Sequence, residues 1–376
     1  MEDNFAEQII PGTFIRVQAE GLIAPKGVAF GNVAIVGTAV AAKDEKGNDV
    51  EHALGTTHIL SSLNDAKALW GPSDPVVDST LNLMRGLELL FRNGATTVYA
   101  QALAAGATTD NFTTALDILL KDEVNVVVIP ELPTGAATAI IKAAVNSAES
   151  VARDVIGVIG ADSAVLDDVL AQANADKRLV LATPALMGAE DVEETLPNGI
   201  KRKKSVPIEL PGQYTAAAVA GLIASLAPQA SPTNKTLPGV TQLARKYGYG
   251  ELTKLVSGNV LALESRQGIR VVRGITTEGA AFAQITTRRI VDYAKTGIRQ
   301  VSNPFVGRLN NERVRKALKG ALDSFLSTML FDEQLTGYTL DVTATRADEI
   351  AGRCVVNVAM QPTFSIDYIR VTLALS

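Results

Sequence analysis

The sequence predicts an α/β chain: a domain on a mainly parallel sheet, then a smaller α+β domain of two helices and strands, with extended strands at both ends. Three observations predict it. From about residue 21 to residue 277 short aliphatic runs alternate with helical stretches, the pattern of strands joined by crossover helices. Beyond about residue 280 two basic helical stretches come first and strands follow. Both terminal segments carry the period-2 alternation of a strand with one buried face.

Behind a polar, acidic lead, Pro11-Gly12 opens the first alternating segment, Thr13, Phe14, Ile15, Arg16 and Val17. Strands are then predicted over 33–37, 97–101, 124–129, 155–159 and 178–183. Helical apolar spacing falls between them at 81–92, 111–120, 135–148 and 163–174. Asn198-Gly199 is a hairpin turn signal between 193–197 and 201–206, because both central residues accept positive φ. The run Lys201-Arg202-Lys203-Lys204 reads as a solvated hairpin arm before it reads as a docking patch. Ser231-Pro232-Thr233-Asn234 and Leu237-Pro238-Gly239 mark a loop.

The second basic helix is the clearest local signal. Asn310 or Asn311 can cap it, with Glu312 in the first turn. Val314, Ala317, Leu318, Ala321, Leu322, Phe325, Leu326, Met329 and Leu330 form one stripe, while Arg313, Lys316 and Lys319 step along the opposite face. The preceding helix carries Arg288, Arg289, Lys295 and Arg299 against one acid, Asp292. Residues 285–320 hold nine basic and two acidic side chains, a net of +7 in a chain of net charge −5. Such segregation points to a basic surface that meets an acidic partner; a solvated polar face is the plainer reading of a charge run.

The last strand begins at Ile366. Asp367, Ile369, Val371, Leu373 and Leu375 lie on one face, and Tyr368, Arg370 and Thr372 on the other. A lone edge strand leaves unpaired N–H and C=O groups. It pairs with the chain's own sheet or is lent to neighbouring copies by β-augmentation.

Composition excludes much. At 376 residues, 47% hydrophobic and 20% charged, the chain folds and exceeds one compact core. No apolar stretch reaches the length of a membrane span. Met1-Glu2-Asp3-Asn4 is not a secretory leader, and the single Cys354, in an alternating run, is expected to be packed and fits reducing cytosol. His52 and His58 lack ligands at metal spacing and read as ordinary surface histidines. The runs at 33–38 and 155–160 complete neither G-x-G-x-x-G nor a P-loop, and no G-x-S-x-G elbow occurs. No catalytic, cofactor or metal site is predicted. A doubly wound enzyme would need a ligand-binding glycine loop or paired catalytic groups at strand ends. Nucleic-acid binding through the +7 segment is disfavoured by a pI near 5.3 and few interleaved aromatics.

Several motifs, in order, carry a family resemblance. They are Pro11-Gly12-Thr13-Phe14-Ile15; Ala34-Ile35-Val36-Gly37-Thr38-Ala39; and Phe91-Arg92-Asn93-Gly94-Ala95 before Val98-Tyr99-Ala100. Then come Ala217-Ala218-Val219-Ala220-Gly221-Leu222, Ser231-Pro232-Thr233-Asn234-Lys235, the run 268–277, Arg288-Arg289-Ile290-Val291-Asp292-Tyr293, Asn303-Pro304-Phe305-Val306-Gly307 and Gly337-Tyr338. Over nearly its whole length the chain resembles contractile tail sheath proteins of phages, tailocins and extracellular contractile injection systems. The family's short aromatic-rich segment before the middle signature is weak here.

The resemblance implies an N-terminal arm over 1–20, an outward α/β domain of subtilisin-like topology without a catalytic site over 21–277, an inner tube-facing domain over 278–362, and a C-terminal arm over 363–376. It implies a homopolymer of stacked hexameric rings that contracts around an inner tube and drives it through a cell envelope. Donated strands would come from Thr13, Phe14, Ile15, Arg16 and Val17, and from Ile366, Ile369, Val371, Leu373 and Leu375. Arg313, Lys316 and Lys319 would face the tube. Partners would be the chain itself, the tube protein, and baseplate and terminator or cap proteins. Neither a cofactor, nucleic acid nor membrane insertion is implied, and assembly would take place in the bacterial cytoplasm. Another self-assembling structural protein is the alternative, and a doubly wound enzyme a more distant one.

Overall fold

A computed structural model describes residues 28–71, 81–195 and 201–374. The expected strand at Thr13–Val17, the Asn198-Gly199 turn and Leu375 lie outside the described residues.

The body is a twisted eight-stranded sheet. Its interior strands are β1 (Asn32–Thr38), β3 (Thr97–Leu103), β4 (Val126–Val128), β5 (Ile156–Gly160), β6 (Leu179–Thr183) and β10 (Leu261–Ser265). Each pair of neighbours among them is parallel. β2 (Thr57–Leu60) and β11 (Ile269–Val271) close the two edges antiparallel, giving the order β11-β10-β6-β5-β4-β1-β3-β2. β4, β5 and β6 are buried along their full length, as a parallel sheet covered on both faces requires. α1 (Leu63–Trp70), α2 (Leu83–Arg92) and α6 (Thr215–Ser225) pack over one face. α3 (Thr109–Leu119), α4 (Thr134–Ser150), α5 (Leu166–Gln172) and α7 (Tyr249–Ser257) cover the other. A Cβ on Gly157 would lie 2.3 Å from Ile141 Cγ2, so glycine there lets α4 sit directly on β5.

The predicted strands and helices of this part are present, most within a few residues. β2 and α1 were not predicted; α1 is held by a capping box in which Ser62 and Asp65 exchange bonds. The hairpin is present as β7 (Leu186–Thr195) and β8 (Lys201–Glu209), with β9 (Gln242–Leu243) at the base of β7. Thr195 pairs with Lys201, and Arg202 grips Glu194 across the ladder at 2.8 Å.

After residue 277 the chain builds a second unit. α8 (Ile285–Ser302) and α9 (Glu312–Phe331) cross, and the antiparallel pair β12 (Leu335–Thr343) and β13 (Val355–Pro362) lies against α9, with α10 (Arg346–Ile350) between the strands. Asn311 caps α9, its side chain accepting from Val314 N at 3.0 Å. Leu318, Leu322, Phe325, Leu326 and Met329 form the buried stripe, but Leu330 is exposed. A Cβ on Gly297 would fall 1.9 Å from the Phe325 ring, so this glycine sets how closely α8 and α9 approach.

Two readings need correction. Cys354 is exposed, not packed. It precedes the first residue of β13, where the alternation that buries Val356, Val358 and Met360 has not begun to be covered. The basic residues of α8 do not form a surface. Arg288 and Arg289 are buried, and Lys295 and Arg299 turn inward onto Asp154.

Candidate assembly interface

A buried ion network joins the two units. Arg178, 1% exposed, precedes β6 and donates to three acids. Its Nε and Nη2 take Glu149 of α4 bidentately at 3.0 and 2.8 Å, Nη2 reaches Asp154 Oδ1 at 2.7 Å, and Nη1 reaches Asp292 Oδ2 of α8 at 3.0 Å. Asp292 also holds Arg288, and Asp154 holds Lys295 and, at 2.9 Å, Arg299. Buried charges persist only where paired and hydrogen-bonded. Bonds from Arg178, aided by nearby cations, hold the Glu149 carboxyl down to about 2 despite partial burial. Burial pushes Asp154 up, but Lys295, Arg299 and Arg178 outweigh it and keep that carboxyl below its ordinary value. Arg289 instead spends its N–H groups on the carbonyls of Phe30, Leu226 and Ala227, and burial brings it down to about 10.

The outward side of the second unit is different in kind. β12 and β13 form a two-stranded sheet, so among the described residues each presents one unpaired edge. Tyr338, Leu340, Val342, Val356, Val358 and Met360 pack inward. Beyond β13 residues 363–374 form no regular element, so the strand expected from Ile366 is not present in this chain alone, and the segment is tied down only over its first residues. Thr363 N donates to Gln334 O at 3.0 Å. Gln284 clasps the Ser365 backbone through both ends of its amide, at 3.1 and 3.2 Å. Asp367 accepts from Arg273 Nε at 2.8 Å and Gln284 Nε2 at 3.0 Å, and Arg273 stands over the Tyr368 ring.

Residues 369–374 make no hydrogen bond to the rest of the described chain. Ile369, Val371 and Leu373 are 81%, 74% and 86% exposed, and Ile366 is exposed as well. Leaving alternate aliphatic side chains in water forgoes roughly 1.5–3 kcal/mol each relative to burial. Asp367, aligned by sequence with Ile369 and Val371, is the side chain that turns inward. Release therefore falls after Tyr368.

On α9, Arg313 is exposed and has no ion-pair partner among the described residues. Lys316 pairs with Glu312 at 2.7 Å and Lys319 with Asp341 of β12 at 3.7 Å, all well exposed. The three do share one exposed side. Near the start of α9 a cleft of about 290 Å³ is lined by Phe305, Val306, Leu309, Val314 and Cys354. Sequence reasoning missed both this cleft and the Arg273–Asp367–Gln284 anchor; the anchor joins residues 94 and 83 positions apart, which no local pattern reports.

His58 packs edge-on against Trp70, with its Nε2 2.9 Å from His52 O. Among the described residues no cluster of His, Cys, Asp and Glu is placed to hold a metal, and no helix is long and apolar enough to cross a membrane.

A doubly wound body is thus joined to a helical unit whose two-stranded sheet keeps both edges unpaired among the described residues. Residues 105–277 match the phage tail sheath protein central domain, and residues 277–376 the phage tail sheath C-terminal domain. The two matches adjoin and cover well over half of the chain, which belongs to the phage tail sheath protein family. By family it is a structural tail sheath protein. No curated protein matches the chain.

Among solved structures it is similar to a chain of the anti-feeding prophage baseplate, 18% identical with a TM-score of 0.72, covering 98% of this chain and 100% of that one. A chain of the contracted helical sheath of the same particle gives 17% and 0.72 with the same coverage. A chain of the contracted PVC sheath complex, from an extracellular contractile injection system, gives 15% and 0.71, covering 98% of each. At these identities the likeness is one of fold.

Proposed function

We propose that this chain polymerises as stacked hexameric rings around an inner tube and, on triggering, repacks and shortens to drive that tube through a cell envelope. The observation that carries the reading is the arm. An alternating apolar segment, pinned at Asp367 and exposed at Ile369, Val371 and Leu373, belongs to the same chain as a two-stranded sheet with both edges unpaired among the described residues. A strand lent to such an edge gains several main-chain hydrogen bonds at roughly 0.5–1.5 kcal/mol net each, and buries aliphatic area at about 25 cal/mol per Å².

In this reading residues 363–376 and 1–20 are arms that bind neighbours, residues 21–277 face outward and residues 278–362 face the tube. Arg313, Lys316 and Lys319 meet an acidic tube surface. Exposed ion pairs are individually weak, which suits a contact made many times over and broken during contraction. Baseplate and cap proteins close the ends of the polymer, and the particle is assembled in the bacterial cytoplasm. The chain acts through contacts alone, with no substrate and no cofactor.

Negative-stain electron microscopy of the full chain beside one ending at Tyr368 tests this. The shorter chain keeps the Asp367 anchor and loses the free strand. Long hollow filaments from the full chain and dispersed particles from the shorter one are expected. Filaments from both would overturn strand donation by the C-terminal arm.

A further inference from the structure

Away from the assembly surface, α2 places two arginines and one glutamate in a cleft of about 260 Å³, walled by the base of β7 and the loop before β9. Arg85 and Glu88 lie on the sheet-facing helix and are only 6% and 4% exposed, while the Arg92 side chain reaches the rim. Glu88 is shared. Its Oε2 accepts from Arg85 Nη1 at 3.1 Å and its Oε1 meets Arg92 Nη2 at 2.6 Å. One carboxylate thus faces two guanidinium groups, and both of its oxygens are taken.

Arg85 is left short of acceptors. A guanidinium has five N–H donors in a fixed fork. In Arg85 only Nη1 is engaged, and the buried Nε has no partner. An unpaired donor on a buried charge is costly, more so where a second cation shares the same carboxylate. The opposite side of the cleft is lined by Gly188, Ala189, Gly239 and Thr241, and Glu88 is the one acid among the described lining residues.

We propose that this cleft is a binding site for a small free oxyanion of the phosphate class. The anion supplies acceptors to Arg85 and Arg92 and balances the unmatched positive charge. It would touch α2, β7 and the loop before β9 at once, tying the base of the β7–β8 hairpin to the body. This site is independent of strand donation and stands or falls separately.

The test is calorimetric titration of the full chain with inorganic phosphate at constant ionic strength, with sodium chloride as the blank. Saturable single-site binding is expected. Arg92→Gln removes one charge from the rim without touching the core, and Thr241→Phe fills the cleft without changing charge. Each should weaken binding about tenfold or more, as loss of a charge-assisted bond or of the space for the ligand predicts. Circular dichroism confirms that both variants fold. No saturable heat above the chloride blank, or equal affinity in Arg92→Gln and the parent chain, overturns the site.

Discussion

The eight-stranded sheet and the two-stranded hairpin of this chain treat their edges in opposite ways. The large sheet ends in β2 and β11, short strands that run antiparallel to their neighbours and leave little edge to extend. The hairpin ends in the long strands β12 and β13, with an unpaired edge on each side among the described residues and an exposed apolar arm from the same chain. Of the two, the first is finished as a fold. The second is held on one face through α9 and keeps both edges unpaired among the described residues, which the proposed function fills with strands from other copies. A polymer subunit needs both: a body that keeps its shape, and a part that is satisfied only in company.

The largest effect expected from breaking this contrast lies where the two parts meet. Arg178→Met leaves Glu149, Asp154 and Asp292 facing one another with fewer cations between β6 and α8. Removing one partner of a buried ionic cluster costs about 3–5 kcal/mol, so urea unfolding should show a loss of that order. A loss below about 1 kcal/mol would mean that the units are held together by packing alone.

Next is the exposed face of α9. Arg313→Glu combined with Lys316→Glu and Lys319→Glu should change folding stability by less than about 1 kcal/mol, because these charges are exposed. It should nevertheless abolish co-assembly with a tube protein in a pull-down. Undiminished co-assembly would remove this face from the tube contact.

The smallest effect is on pH dependence, where two carboxylates of the body act oppositely. Glu149, held at about 2 by Arg178, contributes stability that is present above its unfolded value near 4.5 and lost as pH falls toward 2. Burial raises Glu131 to about 7, although bonds from Thr38 at 2.7 and 2.6 Å oppose the shift. Its contribution is therefore present below about 4.5 and lost as pH rises through 7. Urea midpoints should fall between about pH 5 and pH 8 in the parent chain, and less so in Glu131→Gln; identical slopes would contradict this.

The parallel strands were legible because they are buried on both faces, so runs such as 126–128 and 156–160 are aliphatic without interruption. α9 was legible because a cap, a stripe and a charged face agree over one long helix. α8 misled because arginine and lysine look the same in sequence whether they face water or a buried acid. Its partners Arg178 and Asp154 lie 114 and 141 residues from Asp292 and Lys295. Cys354 misled because alternation predicts burial only where another layer covers the strand. The alternation of Ile369, Val371 and Leu373 was legible, and all three are exposed, but no strand forms there. What sequence could not supply was the point at which this segment leaves the body, which depends on Gln284 and Arg273.

The Asp367 anchor also sets a length. At about 3.3–3.6 Å per extended residue, Leu373 can lie no more than about 20 Å from Asp367. If the arm is shared between copies, it works as a leash of fixed span. Two subunits joined by it are free to swing and slide, but only within that radius. The stroke per pair is then capped by a chain length rather than by the strength of any interface, and inserting residues between Tyr368 and Ile369 would loosen the cap while leaving the Asp367 anchor in place.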